Sequence, residues 1–226
     1  MPRGIPEGIR RLANTRFRQR PANAGVSIAR LGAPHTRALH LLLSDGTIGR
    51  TLWDDEQPSL EDVIVGLERI ERAREAGHLD VFAILDAKRT LVGLCRIDRD
   101  SDDERVGEIG YFVADPFQGR GYATAAMVLV LARTFWELSI CQVVACCERR
   151  NARSRRVLHK LGFRRSDGPR ERGQDVLTFE LDVRDWLASS LDRGCRSRSL
   201  AWRSSSARMR NPGRCRRIGD GGLLGR

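Results

Sequence analysis

From Ala123 to Ala132 the chain is apolar at every position but Thr124, and the run is entered through Gly119-Arg120-Gly121. At helical spacing those side chains fall on all sides of the axis. A helix from about Gly121 to Leu138 must therefore be buried on more than one face, between other layers of structure. It is too short to cross a membrane, which takes ~20 apolar residues. Upstream, Arg105–Ala114 reads as a strand stopped by Asp115-Pro116. The segment is thus strand, glycine-rich turn, buried helix.

The flanking segments supply the layers. Val26–Leu31 reads as a strand and Pro34–Leu43 as a short helix. Ser59 is a natural N-cap for a helix to about Ala76, with Glu61 and Asp62 in its first turn and Gly77 just past its end. Val81–Leu85 and Leu91–Ile97 form two strands around Asp86-Ala87-Lys88-Arg89. Gln142–Cys147 reads as a buried strand, Ala152–Leu161 as a helix and Val176–Leu181 as a last strand. Strands mixed with helices, with strand–helix–strand in the second half, predict a layered α/β sheet.

The formal charge of +11 points toward nucleic acid until it is located. Residues 1–24 hold six Arg against Glu7, and residues 187–226 hold ten Arg against Asp192 and Asp220, which leaves 25–186 at −2. The basicity lies in the ends, so a basic nucleic-acid-binding fold is not implied, although the ends could touch RNA or the ribosome. Stretches such as Arg196-Ser197-Arg198-Ser199 bury too little apolar surface to offset ordering entropy. The expected organisation is a disordered extension over 1–24, one domain over 25–186 and a disordered tail over 187–226. The start Met-Pro-Arg-Gly leads into arginines and no apolar stretch, which argues against a secretory signal. Six cysteines without a C-x-x-C pair argue against a disulfide scaffold or zinc knuckle, and no metal is expected. The expectation is a cytoplasmic protein with reduced thiols, no membrane contact, and a monomeric or homodimeric state.

Chemistry concentrates at the turn. Gly119 and Gly121 let the backbone pass close to a ligand, and the first amides of the following helix point outward with the positive end of its dipole. That suits an anion such as a pyrophosphate. No Gly-Lys-Ser/Thr follows, so the turn is not a Walker loop, and the third small residue of the dinucleotide fingerprint is missing.

Gln118, Gly121 and Ala123, spaced Gln-x-x-Gly-x-Ala after a strand, resemble the acetyl-CoA signature of the GNAT superfamily of N-acetyltransferases. Asn151-Ala152-Arg153-Ser154, with Val157-Leu158-His159-Lys160-Leu161-Gly162-Phe163, is similar to that superfamily's second motif. Gly107-Glu108-Ile109-Gly110-Tyr111-Phe112-Val113 resembles the branch of ribosomal-protein N-terminal (alanine) acetyltransferases. The resemblance covers roughly residues 25–186. It implies a single mixed, mostly antiparallel central sheet flanked by helices, with acetyl-CoA as cosubstrate and a primary amine as acceptor. It further implies that the strand ending at Val113 splays from the next, leaving the Val113 amide to bind the oxyanion. Val113, Gln118, Gly119, Arg120, Gly121, Tyr122, Ala123 and Asn151 are then the expected acetyl-CoA contacts.

An exposed amine has a pKa near ~10, so a base or a water chain must remove its proton. Glu108 is the leading candidate, with Glu148 second; a solvent-facing strand carboxylate is the other reading of Glu108. Many relatives place a Tyr seven positions after the motif Asn, where this chain has Leu158. Ser154 could protonate the leaving thiolate instead, or simply be a helix-start hydroxyl. Asn151, Ser154, Gly162 and Phe163 are also explained as helix punctuation alone. His159 reads as a helix-surface residue. Of Cys146 and Cys147, on a buried strand, at least one is expected to be core filling and not a nucleophile. Among Arg149, Arg150, Arg153, Arg155 and Arg156, one or two could meet the 3′-phosphate of coenzyme A. The acceptor side is implied near Leu52-Trp53-Asp54-Asp55-Glu56-Gln57-Pro58. Two other readings stay open: a non-catalytic acyl-CoA-binding module, or a ribosome- or RNA-associated protein acting through its basic ends.

Overall fold

The computed structural model describes residues 25–44, 58–166 and 175–192. The expected terminal extension, most of the tail and the segment Leu52–Gln57 lie outside the described residues. Seven strands form one sheet in the order β1-β2-β3-β4-β5-β7-β6. They are β1 Ser27–Arg30, β2 Leu79–Leu85, β3 Leu91–Arg99, β4 Val106–Val113, β5 Gln142–Glu148, β6 Arg164–Arg165 and β7 Val176–Asp182. Every pairing is antiparallel except β4 with β5. This is the mixed, mostly antiparallel sheet that the sequence implied.

Two helices cover one face. α1, Thr36–Leu43, follows a 3-10 turn at Ala33–His35 and buries Leu39 and Leu43. α2, Leu60–Glu75, starts at a capping box: Ser59 Oγ accepts from the Asp62 amide while Asp62 accepts from the Ser59 amide. Such a cap contributes about 1 kcal/mol. Val63, Leu67 and Ile70 of α2 share one face and pack with Leu39, Leu43, Val81, Ala83 and Leu94.

The other face carries the larger core. α3, Tyr122–Glu137, buries Ala126, Met127, Val130 and Leu131 against Ile97, Ile109, Val143 and Ala145 of the sheet. Its apolar surface is shared between the sheet and its helical neighbours, as the all-round pattern required. α4, Ala152–Leu161, adds Leu158 and Leu161, and it ends at Gly162 with the Phe163 amide donating to Leu158 O at 3.0 Å.

Two elements depart from the sequence analysis. A last helix, α5, spans Val183–Asp192 and so runs across the expected tail boundary at Leu187. Val183, Trp186 and Leu187 pack into the larger core, Trp186 at 2% exposure with its ring 5.4 Å from Phe135 and 5.1 Å from Trp136. The i, i+3, i+4 spacing was present, but the Arg- and Ser-rich residues beyond it masked the period. The short strand β6 gives no sequence signal either, because two arginines paired along β7 carry no apolar alternation.

Candidate active site

β4 pairs with β5 only over Val106–Glu108, opposite Gln142–Val144. Beyond that register the two strands part, forming the fork that the resemblance implied. The direction of the free backbone groups follows from the other side of β4. The Ala114 amide donates to Val92 O at 2.9 Å, so even-numbered residues of β4 bond to β3. The N–H and C=O groups of Tyr111 and Val113 therefore point into the fork, beyond the last residues held by β5. The Val113 carbonyl accepts from Gln118 Nε2 at 2.9 Å, and its amide is aimed at the gap. Gly93, opposite Val113, holds this edge in place. A Cβ there would lie 2.3 Å from the Phe112 carbonyl oxygen, so β3 and β4 approach this closely only with glycine.

Side chains leave the strand on alternate faces. Tyr111 and Val113 face α3 and α4, whereas Glu108 lies on the α1–α2 face, half-buried at the last residue of the β4–β5 pairing. Five residues of strand separate Glu108 from Val113, roughly 16 Å at ~3.3 Å per residue. A proton passing between an amine held near Val113 and the Glu108 carboxylate must travel through water.

On the α3–α4 face, Tyr111, Val113, Phe117, Gln118, Gly119, Gly121, Tyr122, Ala123, Asn151 and Ser154 line one open cleft of about 510 Å³. Gly119 and Gly121 have φ of +74° and +84°, the left-handed region that side chains with a Cβ resist. Gly121 is the N-cap of α3. That helix start has no side-chain cap and no acidic residue in its first turn, so its leading amides open on the cleft unmatched. Phe112, Thr124, Arg153, Arg156, Val157 and Lys160 complete the wall. The α4 spacing 153, 156, 160 sets the three cations on one side of that helix. Orphan amides, a helix dipole and three cations form a cradle that fits a polyanion.

Gln118 is less a ligand than a staple. Its Nε2 donates to Val113 O and to Asp115 Oδ1, at 2.6 Å, and its Oε1 accepts from Arg153 at 2.5 Å. Asn151 caps α4, with Oδ1 accepting from the Ser154 amide at 2.9 Å. Arg120 is exposed, its guanidinium 6.0 Å from the Phe117 ring centre and outside the cleft wall. Glu148 is exposed and bonded to Arg150 at 2.6 Å, also outside the cleft. His159 is exposed, edge-on to Phe179 at 5.7 Å. Leu158 is buried at 1% and points into the core.

Two side chains at the cleft were not anticipated. Lys160 joins Arg153 and Arg156, and Tyr111 places its hydroxyl 3.0 Å from Ser154 Oγ. Burial pushes the Tyr111 hydroxyl up to about 12, against the opposing effect of its bond to Ser154. Ser154 draws the Cys147 thiol down, yet burial holds its pKa above the usual thiol range. A thiol so placed is poor at forming the thiolate a nucleophile needs, in keeping with core filling. Tyr111 was legible from parity alone: it is two residues from Val113 and shares its face. Among the described residues there is no cluster of His, Cys, Asp or Glu able to hold a metal ion, and no helix long and apolar enough to span a membrane.

A mixed sheet forked at its single parallel pair, with an uncapped helix start beside the gap, is the acyl-CoA N-acyltransferase fold. Residues 29–164 match the model of the acetyltransferase (GNAT) domain, and the chain belongs to that family of N-acetyltransferases. It is similar to the putative ribosomal N-acetyltransferase YdaF of Bacillus subtilis (strain 168), with 29% identity over 146 residues, 62% of this chain and 80% of that one. Its fold is similar to that of RimL, a ribosomal L7/L12 alpha-N-protein acetyltransferase solved with coenzyme A. The TM-score is 0.65 at 16% identity, covering 74% of this chain and 98% of the other. The spermidine N-acetyltransferase of Vibrio cholerae, solved with CoA and spermine, superposes with a TM-score of 0.60 at 20% identity, over 73% and 99% of the two chains.

Proposed function

We propose that the protein transfers the acetyl group of acetyl-CoA to a primary amine by direct attack in a ternary complex, with a protein N-terminus as the favoured acceptor. The observation that carries this reading is the fork at β4 and β5, whose free amides open beside the cationic cradle at the start of α3. The first-turn amides after Gly119 and Gly121, with Arg153, Arg156 and Lys160, hold the phosphates. The Val113 amide receives the oxyanion as the amine nitrogen adds to the thioester carbonyl. The C–S bond then breaks with its electron pair on sulfur. Ser154 supplies the proton to that sulfur, and the amine proton leaves through a water chain to Glu108.

The choice of a protein N-terminus follows the relatives named as ribosomal N-acetyltransferases; a small polyamine is the acceptor named for one structural neighbour. An enzyme acting on ribosomal protein would meet its acceptor in the cytoplasm. The basic ends of the chain would add weak, salt-sensitive attraction to RNA.

The experiment is thiol release from acetyl-CoA in the presence of N-terminal peptides of ribosomal proteins and a panel of small amines. Release with the peptides, and a mass increase of one acetyl group on their α-amine, supports the reading. Release with polyamines alone reassigns the acceptor. Tight acetyl-CoA binding without release from any amine would leave a non-catalytic binding module.

A further inference from the structure

The contact between Tyr111 and Ser154 joins β4 directly to the first turn of α4. Tyr111 rises from β4 and Ser154 is the third residue of α4. Tyr111 Oη lies 3.0 Å from Ser154 Oγ and 3.3 Å from the Ser154 carbonyl oxygen. The Ser154 amide is fixed in turn by Asn151 Oδ1. The serine is thus located twice, by its backbone through the cap and by its side chain through a phenol.

The phenol proton has two acceptors within reach, Ser154 Oγ and the Ser154 carbonyl oxygen; either oxygen can donate in the Oγ contact, and we take the phenol as the donor to both. With Tyr111 donating to that pair, the Ser154 hydroxyl proton is left to turn toward the cleft or toward the Cys147 thiol. The phenol keeps its proton, since its ionisation is pushed up to about 12. Leu158, one turn further along α4, is buried in the core and offers no hydroxyl of its own.

We infer that Tyr111 is a positioning residue for the acyl transfer, aiming the Ser154 hydroxyl at the leaving sulfur and strengthening it as a donor. The inference rests on the acetyltransferase reading above. When the C–S bond breaks, the electron pair stays on sulfur and sulfur takes the Ser154 proton. Solvent returns a proton to Oγ, and Tyr111 keeps its own throughout. Donation from a phenol into Oγ makes the serine hydroxyl a stronger acid, as chained hydrogen bonds polarise one another. Arg153, Arg156 and Lys160 on the cleft wall, with Arg155 and Glu148 acting on Cys147, are the charged groups around this pair.

Two measurements on the full chain test this, one of them independent of any acceptor. In the first, coenzyme A itself is bound and its thiolate absorbance is followed against pH as a difference from the unliganded protein. The bound thiol of the wild type should ionise below its free value. Tyr111→Phe should raise that pKa by about one unit, the worth of one hydrogen bond to a charged group, with coenzyme A affinity unchanged. In the second, Tyr111→Phe should lower kcat by about tenfold with KM for acetyl-CoA unchanged, and should have no further effect in a Ser154→Ala background. A Tyr111→Phe protein with wild-type thiol pKa and kcat overturns the inference, as does an equal loss with and without Ser154. Wild-type protein that shifts the bound thiol but acetylates no amine would sink the acetyltransferase reading and leave the Tyr111–Ser154 contact standing. Failure to bind coenzyme A would sink both.

Discussion

Gln118 and Arg153, thirty-five residues apart, meet at 2.5 Å and tie the turn before α3 to the first turn of α4. The same glutamine donates to the Val113 carbonyl, so one side chain fixes the strand end, the glycine turn and the second helix relative to one another. Gln118→Ala should therefore act on ligand binding at a distance. Acetyl-CoA affinity should fall by ~10-fold or more, since charge-assisted hydrogen bonds carry ~1.5–3 kcal/mol. Calorimetric titration of Gln118→Ala, Arg153→Ala and the double variant should return a non-additive cycle.

Gly121 sits at φ +84° as the cap of α3. A valine there costs ~1–2 kcal/mol from the left-handed backbone alone, and its branched side chain stands where the cradle is open. Gly121→Val should stay folded by circular dichroism and lose measurable acetyl-CoA binding. A folded variant with wild-type affinity would remove the cradle from the phosphate-binding assignment.

Glu108 should reveal itself through pH. Glu108→Gln should lower kcat at neutral pH by less than the ~10²-fold of a base in direct contact, since a water chain along ~16 Å of strand separates it from Val113. The deficit should shrink as pH rises toward the amine pKa, where the acceptor loses its proton in bulk water. A pH–rate profile unchanged from wild type would make Glu108 a structural carboxylate.

The raised ionisation of Tyr111 carries a stability signature. Folded and unfolded chains both hold the phenol proton below about pH 10, so nothing is lost there. Between about 10 and about 12 the unfolded chain ionises first, and stability falls with rising pH by about 2–3 kcal/mol in total. Denaturant unfolding at alkaline pH should show this decline in the wild type and its absence in Tyr111→Phe.

Trp186 closes the larger core from the far end of the chain. Trp186→Ala should cost ~3–5 kcal/mol, the usual range for emptying a buried aromatic site. Urea unfolding would measure the loss, and a cost under 1 kcal/mol would mean that α5 contributes little to the core.

The sequence was most legible where one residue type has one conformational use. Asn151 and Gly162 bracket α4 at its observed ends, because a side-chain acceptor and a left-handed residue have few other places to be. The Gln118–Ala123 turn was readable for the same reason. Side-chain partnership is harder to read: Gln118 lines the cleft, and its amide also bonds to Val113, Asp115 and Arg153, partners that the motif spacing does not reveal. Tyr111 carries no signal of its own, because a tyrosine in an alternating strand looks like core until its hydroxyl partner is known. No helix is legible after the strand Val176–Leu181 because composition averages over a window, whereas three apolar residues at helical spacing suffice to dock α5 into the larger core.

The divergence of β4 from β5 gives this sheet an edge in its interior. Outer edges are usually blunted by charge or covered, because unpaired strand backbone recruits any extended chain that can continue the ladder. Here the vacancy is kept open and shielded by α3 and α4 from other strands. An extended guest with its own amide groups can lie in the gap as a missing strand would. Occupancy then becomes visible in the backbone itself: the amide hydrogens of Tyr111 and Val113, paired with no strand among the described residues, should exchange slowly with solvent once the gap is filled.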